Sequence, residues 1–180
     1  MPTQLRQFKS GAEFHIFGRG HHRSSIFKRD SDRVHFLTKL DEFCDRDQIT
    51  LFAYCLMTNH YHLALRQDGT VPLSNMMSSL LSSYVQRYNS RYGTPGRLFQ
   101  GRYQSVLITS EHHLACETRY IHQNPRKFTD FRTYRWSSYQ QYVDTAPGIA
   151  DATTVLALFD HSRRAYANFC EENLPAHLQR

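Results

Sequence analysis

The stretch Ile49-Thr-Leu-Phe-Ala-Tyr-Cys-Leu-Met57, then Thr58-Asn59, then His60-Tyr-His-Leu-Ala-Leu-Arg66, decides the fold. The first segment is apolar except at Thr50, which suits a central strand buried on both faces. Thr58-Asn59 offers a tight turn. The second segment alternates, with Tyr61, Leu63 and Leu65 on one face and His60, His62 and Ala64 on the other. The two together read as an antiparallel hairpin.

Upstream, Asp30 is placed to cap a helix in which Val34, Leu37, Leu40 and Cys44 recur at helical spacing, ending near Gln48. Before it, Glu13 to Phe17 reads as a short strand with Phe14 and Ile16 at period two, stopped by Gly18-Arg19-Gly20. Residues 1–12 read as a loose start. Downstream, Pro72 opens a helix whose stripe runs through Leu73, Met76, Met77, Leu80, Leu81, Tyr84 and Tyr88. Gly93-Thr-Pro-Gly96 ends it. Gln104 to Thr109 reads as a last strand. Ser110 caps a further helix that runs to Gln123 or Asn124, before Pro125. The order β-α-β-β-α-β plus a helix is α+β and ferredoxin-like, a four-stranded antiparallel sheet with two helices on one face. Beyond it come WSSYQQY at 136–142, a loop at Thr145–Gly148, and helical patterns near Thr153–Phe159 and Arg163–Glu172. The expected division is a domain over residues 1–143 and a C-terminal helical extension over 144–180.

Of the 180 residues, 40% are hydrophobic and 13% aromatic, enough for a buried core and too many for a disordered chain. No stretch approaches the roughly 18 apolar residues of a membrane span, and MPTQLRQFKSGAEF lacks the apolar run of a signal peptide. A cytoplasmic protein with no membrane partner is expected. Residues 1–143 hold 19 basic and 11 acidic side chains, whereas residues 144–180 hold 3 and 5. No acidic residue lies between Asp68 and Glu111, where Arg87, Arg91, Arg97 and Arg102 occur. Such a field attracts polyanions, nucleic acid foremost. Cys44, Cys55, Cys116 and Cys170 form no Cys-x-x-Cys pair and read as buried, reduced thiols.

Alternation puts both imidazoles of His60-Tyr61-His62 on one strand face, where two histidines at i and i+2 can share a divalent cation. Tyr61 points the other way. On the helix before Pro125, Tyr120 and Asn124 lie four apart and share a face. The Asn124 carbonyl qualifies as a third ligand. The Tyr120 phenol becomes a credible nucleophile once a cation polarises a target phosphate. Each element also has a plain structural reading, as a surface histidine pair, a core tyrosine or a helix-ending asparagine. Gln123 is a fallback ligand.

Taken together, a strand His-hydrophobic-His and a later helix Tyr with Asn one turn on resemble the HUH-type single-strand DNA transposases, specifically the REP-associated tyrosine (Y1) transposases. MTNHYHLAL at 57–65 and RYIHQNPRKF at 119–128 carry the resemblance. GRGHHRSSIF at 18–27, RLFQGRYQS at 97–105 and RWSSYQQY at 135–142 support it. It implies that His60, His62 and Asn124 hold Mg²⁺ or Mn²⁺. Tyr120 would attack a single-stranded DNA phosphodiester, leaving a 5′-phosphotyrosine and a free 3′-hydroxyl. Residues 1–143 would be the catalytic domain. The implied substrate is a short hairpin with a guide sequence at its foot, read near Gly18–Arg23, and the implied assembly is a monomer or homodimer.

Basic residues for the backbone and aromatics for unpaired bases interleave at Arg97, Phe99, Arg102 and Tyr103. Arg19, His21 and Arg23 form a glycine-flanked basic loop, and Arg126 and Lys127 follow the helix. All nine are candidate DNA contacts. The acidic tail argues against direct backbone binding. Two other functions fit the same sheet: a non-catalytic single-stranded nucleic-acid-binding module, and a metal-dependent phosphodiesterase that activates water.

Overall fold

The computed structural model describes residues 10–172. Most of the loose start expected at residues 1–12, and the last part of the extension, lie outside the described residues. Strands β1 (Glu13–Arg19), β2 (Ile49–Leu56), β3 (His60–Gln67) and β4 (Gln104–Ile108) form one sheet in the order β2-β3-β1-β4. Every neighbouring pair is antiparallel. Helices α1 (Asp30–Asp47) and α2 (Leu73–Tyr92) link the strands, and α3 (Glu111–Gln123) follows β4. The expected ferredoxin-like sheet is what the chain forms.

One detail of the deciding stretch differs from plain alternation. β2 pairs Leu51 with Leu65 but Ala53 with Ala64, so Phe52 is an extra residue, a bulge. Ile49, Leu51, Tyr54 and Leu56 therefore face the α1–α2 core. Phe52, Ala53, Cys55 and Met57 face a second core on the opposite side. A strand with apolar partners on both faces needs a nearly unbroken apolar sequence, which is what 49–57 supplies.

Tyr61 is fully buried in the first core, its ring 5.4 Å from Phe36 and 5.9 Å from Phe99, as alternation predicts. The second core is closed by α3 and three short helices, α4 (Tyr139–Val143), α5 (Ala152–Ala157) and α6 (Arg163–Glu171). Their tyrosines bury rings and satisfy hydroxyls at once. Tyr142 donates to the Phe52 carbonyl at 2.7 Å, and Tyr166 hydrogen-bonds His122 Nδ1 at 2.8 Å. The WSSYQQY segment starts along the outer edge of β2. Leu56 N–H donates to the Trp136 carbonyl at 2.8 Å, and Ser138 N–H donates to the Tyr54 carbonyl at 3.0 Å. β2 is thus an edge strand, not the central one its apolar run suggested. It is buried on both faces by the two cores, and its edge is covered by this segment. The four cysteines are free and buried.

The helix starts are set by side chains, though not always those expected. Ser110 Oγ accepts from His113 N–H at 3.1 Å, as a cap should. Asp30, in contrast, is the first residue of α1. The carboxylate that satisfies the helix entrance is Asp32, which accepts from the Lys28 and Arg29 amides at 3.0 and 2.9 Å.

After β1 the chain turns through a 3₁₀ turn, His21–Arg23, with His22 and Arg23 in the left-handed region at φ 49° and 58°. A Cβ on Gly20 would overlap the Ser24 carbonyl oxygen. Gly20→Ala is therefore expected to force this turn apart, at a cost of roughly 2–3 kcal/mol. A thermal melt should show Tm lowered by several degrees, while an unchanged Tm would mean that the turn is not packed as described.

Candidate active site

A cavity of about 770 Å³ opens at the ends of β1 and β3. β3 supplies His60 and His62, and α3 and the turn that ends it supply Tyr120 and Asn124; all four line the cavity. Asn124 keeps helical backbone angles (φ −51°, ψ −38°) and so stands one turn beyond Tyr120 on the same side of the helix. Pro125 follows, and the chain continues as a 3₁₀ turn over Asn124–Lys127.

His60 Nε2 stands 2.9 Å from Asn124 Oδ1, and its Nδ1 stands 2.7 Å from Asn59 Oδ1. Burial, chiefly, holds the His60 pKa below the usual histidine range; the Asn124 hydrogen bond opposes this and Arg19 adds to it. A neutral imidazole has one N–H. If Asn59 takes it, the His60 Nε2 lone pair faces the Asn124 oxygen, and such a pair calls for something positive beside it.

His62 is only 6% exposed, and burial holds its pKa well below the usual value, with His15 and His60 adding to the effect. Its ring lies 5.2 Å from that of His60 and nearly perpendicular to it. Its Nδ1 is engaged by His15 Nε2 at 2.9 Å, which leaves Nε2 as its remaining nitrogen. The Tyr120 ring packs edge-on to His62 at 5.6 Å and to His15 at 5.7 Å. The donor set (two imidazole nitrogens and a carboxamide oxygen) fits a cation of the Mg²⁺ or Mn²⁺ type with open positions for substrate oxygens. Among the described residues, no three His, Cys, Asp or Glu side chains gather to hold a metal, so a cation here depends on Asn124.

The remaining candidates divide. Arg19, Arg23 and Arg102 line the cavity, and among the described residues no acidic side chain does. Arg19 also donates through Nε to Gln100 Oε1. His21, Arg97, Arg126 and Lys127 are exposed outside the lining. The two aromatics expected to stack on bases turn inward. Tyr103 is 8% exposed and part of the α1–α2 core. Phe99 packs against that core, 5.9 Å from Tyr61 and 6.4 Å from Tyr84. The drive to bury a large ring outweighs the charge pattern around it. Gln123, the fallback ligand, points away: its side-chain amide donates to the Cys170 and Glu172 carbonyls. His122 is buried against Tyr166 and Ser138, its pKa held down to about 3.

Three residues were not singled out from the sequence. Phe128 is 78% exposed at the cavity rim; an apolar ring left in water beside a cluster of arginines was the available signal. His15 and Glu117 are buried behind the site. The register of β1 against β3 puts His15 opposite Ala64, on the histidine face, which the same alternation rule gives once the strands are paired.

The model of the family described as IS200-like transposase matches residues 8–124. The chain belongs to the IS200-like transposase family. Its members carry out transposase-type DNA processing and generally use a divalent metal. The kinship with Y1-type transposases expected from the two motifs is met. Among solved structures, a REP-associated tyrosine transposase bound to a REP hairpin superposes with a TM-score of 0.64 at 14% identity. That match covers 86% of this chain and 96% of the other and shows a shared fold. A putative transposase from Deinococcus radiodurans matches at 19% identity and a TM-score of 0.46, covering 67% of this chain and 95% of its own. No curated protein matches. Among the described residues of this family member, no helix is long and apolar enough to cross a membrane.

Proposed function

We propose that this chain cleaves and rejoins single-stranded DNA beside hairpins, with Tyr120 as nucleophile. The observation that carries the reading is the convergence of His60, His62, Asn124 and Tyr120 on one basic cavity. The Tyr120 oxygen forms a bond to phosphorus, the bond from phosphorus to the 3′-oxygen breaks, and the DNA 5′ end is left on the tyrosine. The phenol gives up its proton and the departing 3′-oxygen takes one up. A 3′-hydroxyl reverses the step to join strands, so bond energy is conserved and no nucleotide cofactor is needed. His60, His62 and Asn124 would hold Mg²⁺ or Mn²⁺, which when bound supplies Lewis-acid polarisation of the phosphate. Arg19, Arg23 and Arg102 attract and orient the backbone. In this reading residues 1–143 are the catalytic domain and 144–180 an extension, whose described helices α5 and α6 pack behind the sheet in the second core.

Incubation with Mn²⁺ and a single-stranded hairpin, followed by a denaturing gel, separates the possibilities. A protein–DNA band supports this reading. Cleavage without a band favours water activation, and binding alone favours a non-catalytic module.

Phe128 takes the role first assigned to Phe99 and Tyr103, stacking on an unpaired base beside the scissile phosphate. Stacking of this kind contributes about 1–3 kcal/mol per base. Phe128→Ala is therefore expected to weaken single-stranded DNA binding roughly 5- to 150-fold, read by fluorescence anisotropy, with Tm nearly unchanged because the ring is exposed. Equal affinity of the two proteins would exclude the stacking role.

A further inference from the structure

Behind His62 lies a chain of buried polar groups that reaches helix α3. His62 Nδ1 is 2.9 Å from His15 Nε2, and His15 Nδ1 is 2.7 Å from Glu117 Oε2. The other Glu117 oxygen is 3.2 Å from His113 Nε2 at the surface. His15 is 1% and Glu117 3% exposed. A carboxylate so buried needs donors on its oxygens. The three side chains come from β1, β3 and α3, so their alignment is a product of the tertiary fold.

Proton placement follows from the end of the chain. A carboxylate oxygen can only accept. His15 Nδ1 and Glu117 Oε2 are in close ion-pair contact without an aligned hydrogen bond. The adjoining carboxylate charge favours the proton on His15 Nδ1, and His15 Nε2 then carries a lone pair. That lone pair requires a proton on His62 Nδ1, which leaves the lone pair of His62 on Nε2. A histidine has to offer a lone pair to bind a cation, and ligand histidines are commonly set in this way by groups behind them.

We propose that Glu117 and His15 are positioning residues that hold His62 as its Nδ1–H tautomer, with Nε2 ready for the divalent cation. The proposal rests on the metal reading of the site given above. It assigns His15 no contact with DNA or with the reacting atoms. Replacement of His15 reaches the cation through His62, so it should lower cation affinity without removing a ligand.

The test uses the full chain labelled with ¹⁵N at histidine. In the metal-free wild-type protein, long-range ¹H–¹⁵N spectra should show His62 Nδ1 protonated and Nε2 bare. This arm needs no variant. In His15→Phe, which keeps a ring against Phe17 and Tyr120, His62 should shift toward the Nε2–H form that free imidazoles of histidine prefer. Mn²⁺ affinity, read by calorimetry, should fall about 10- to 100-fold, with a cooperative melt confirming that the variant is folded. A wild-type His62 that is mostly Nε2–H would overturn the proposal. So would a His15→Phe protein that binds Mn²⁺ within about twofold of wild type. Absence of Mn²⁺ binding by wild type would instead overturn the metal reading, while the nitrogen shifts judge the chain on their own.

Discussion

Replacement of Tyr120 by phenylalanine should abolish both the covalent protein–DNA adduct and strand cleavage. The substitution removes only the hydroxyl, and the ring keeps its edge contacts with His15 at 5.7 Å and His62 at 5.6 Å. Stability should change by no more than about 1 kcal/mol. Loss of the nucleophile removes the chemical step itself, so cleavage should drop by at least about 10⁴-fold. DNA binding, proposed to rest on Arg19, Arg23, Arg102 and Phe128, which line the cavity, should stay within about twofold. A denaturing gel and an anisotropy titration on the same preparation give the two readouts. Cleavage that persists without adduct in the variant would assign the reaction to water.

His60→Ala should be nearly as damaging by a different route. His60 is half-buried at the cavity wall, so its loss leaves little empty core. It nevertheless supplies the nitrogen 2.9 Å from Asn124 Oδ1, one of three protein donors to the expected cation. Metal polarisation of a phosphate is worth several kcal/mol; at roughly 4 kcal/mol this is about a thousandfold in rate. The variant should therefore cleave about a thousandfold more slowly at fixed Mn²⁺. Chelation by EDTA should reduce wild type to a similar level and should add little to the loss in the variant. A variant as active as wild type, or a wild type indifferent to EDTA, would remove the cation from the account.

Much of this was legible in residues 49–66. Strict alternation in His60–Arg66 separated the histidine face from Tyr61, and the long apolar run marked a strand covered twice. The bulge at Phe52 was hidden because every residue around it is apolar, so a slip in phase leaves no polar mark. The cover of the second face was also hard to read, since α4, α5 and α6 are short and several of their core residues are tyrosines, whose hydroxyls suit surface or core. Phe99 and Tyr103 were misplaced because charge interleaving says nothing about which way a ring points. His15 and Glu117 escaped because their meaning is relational. A histidine between Phe14 and Ile16 is unremarkable until β1 is laid beside β3 and α3 across both.

The most direct measurement of the central claim is the mass of the peptide that carries the DNA. Wild-type protein is incubated with Mn²⁺ and a single-stranded hairpin, digested with protease and nuclease, and sequenced by tandem mass spectrometry. A nucleotide attached through its 5′ phosphate to Tyr120 is the predicted result. Attachment at any other residue, or cleaved DNA with no modified peptide, would contradict it.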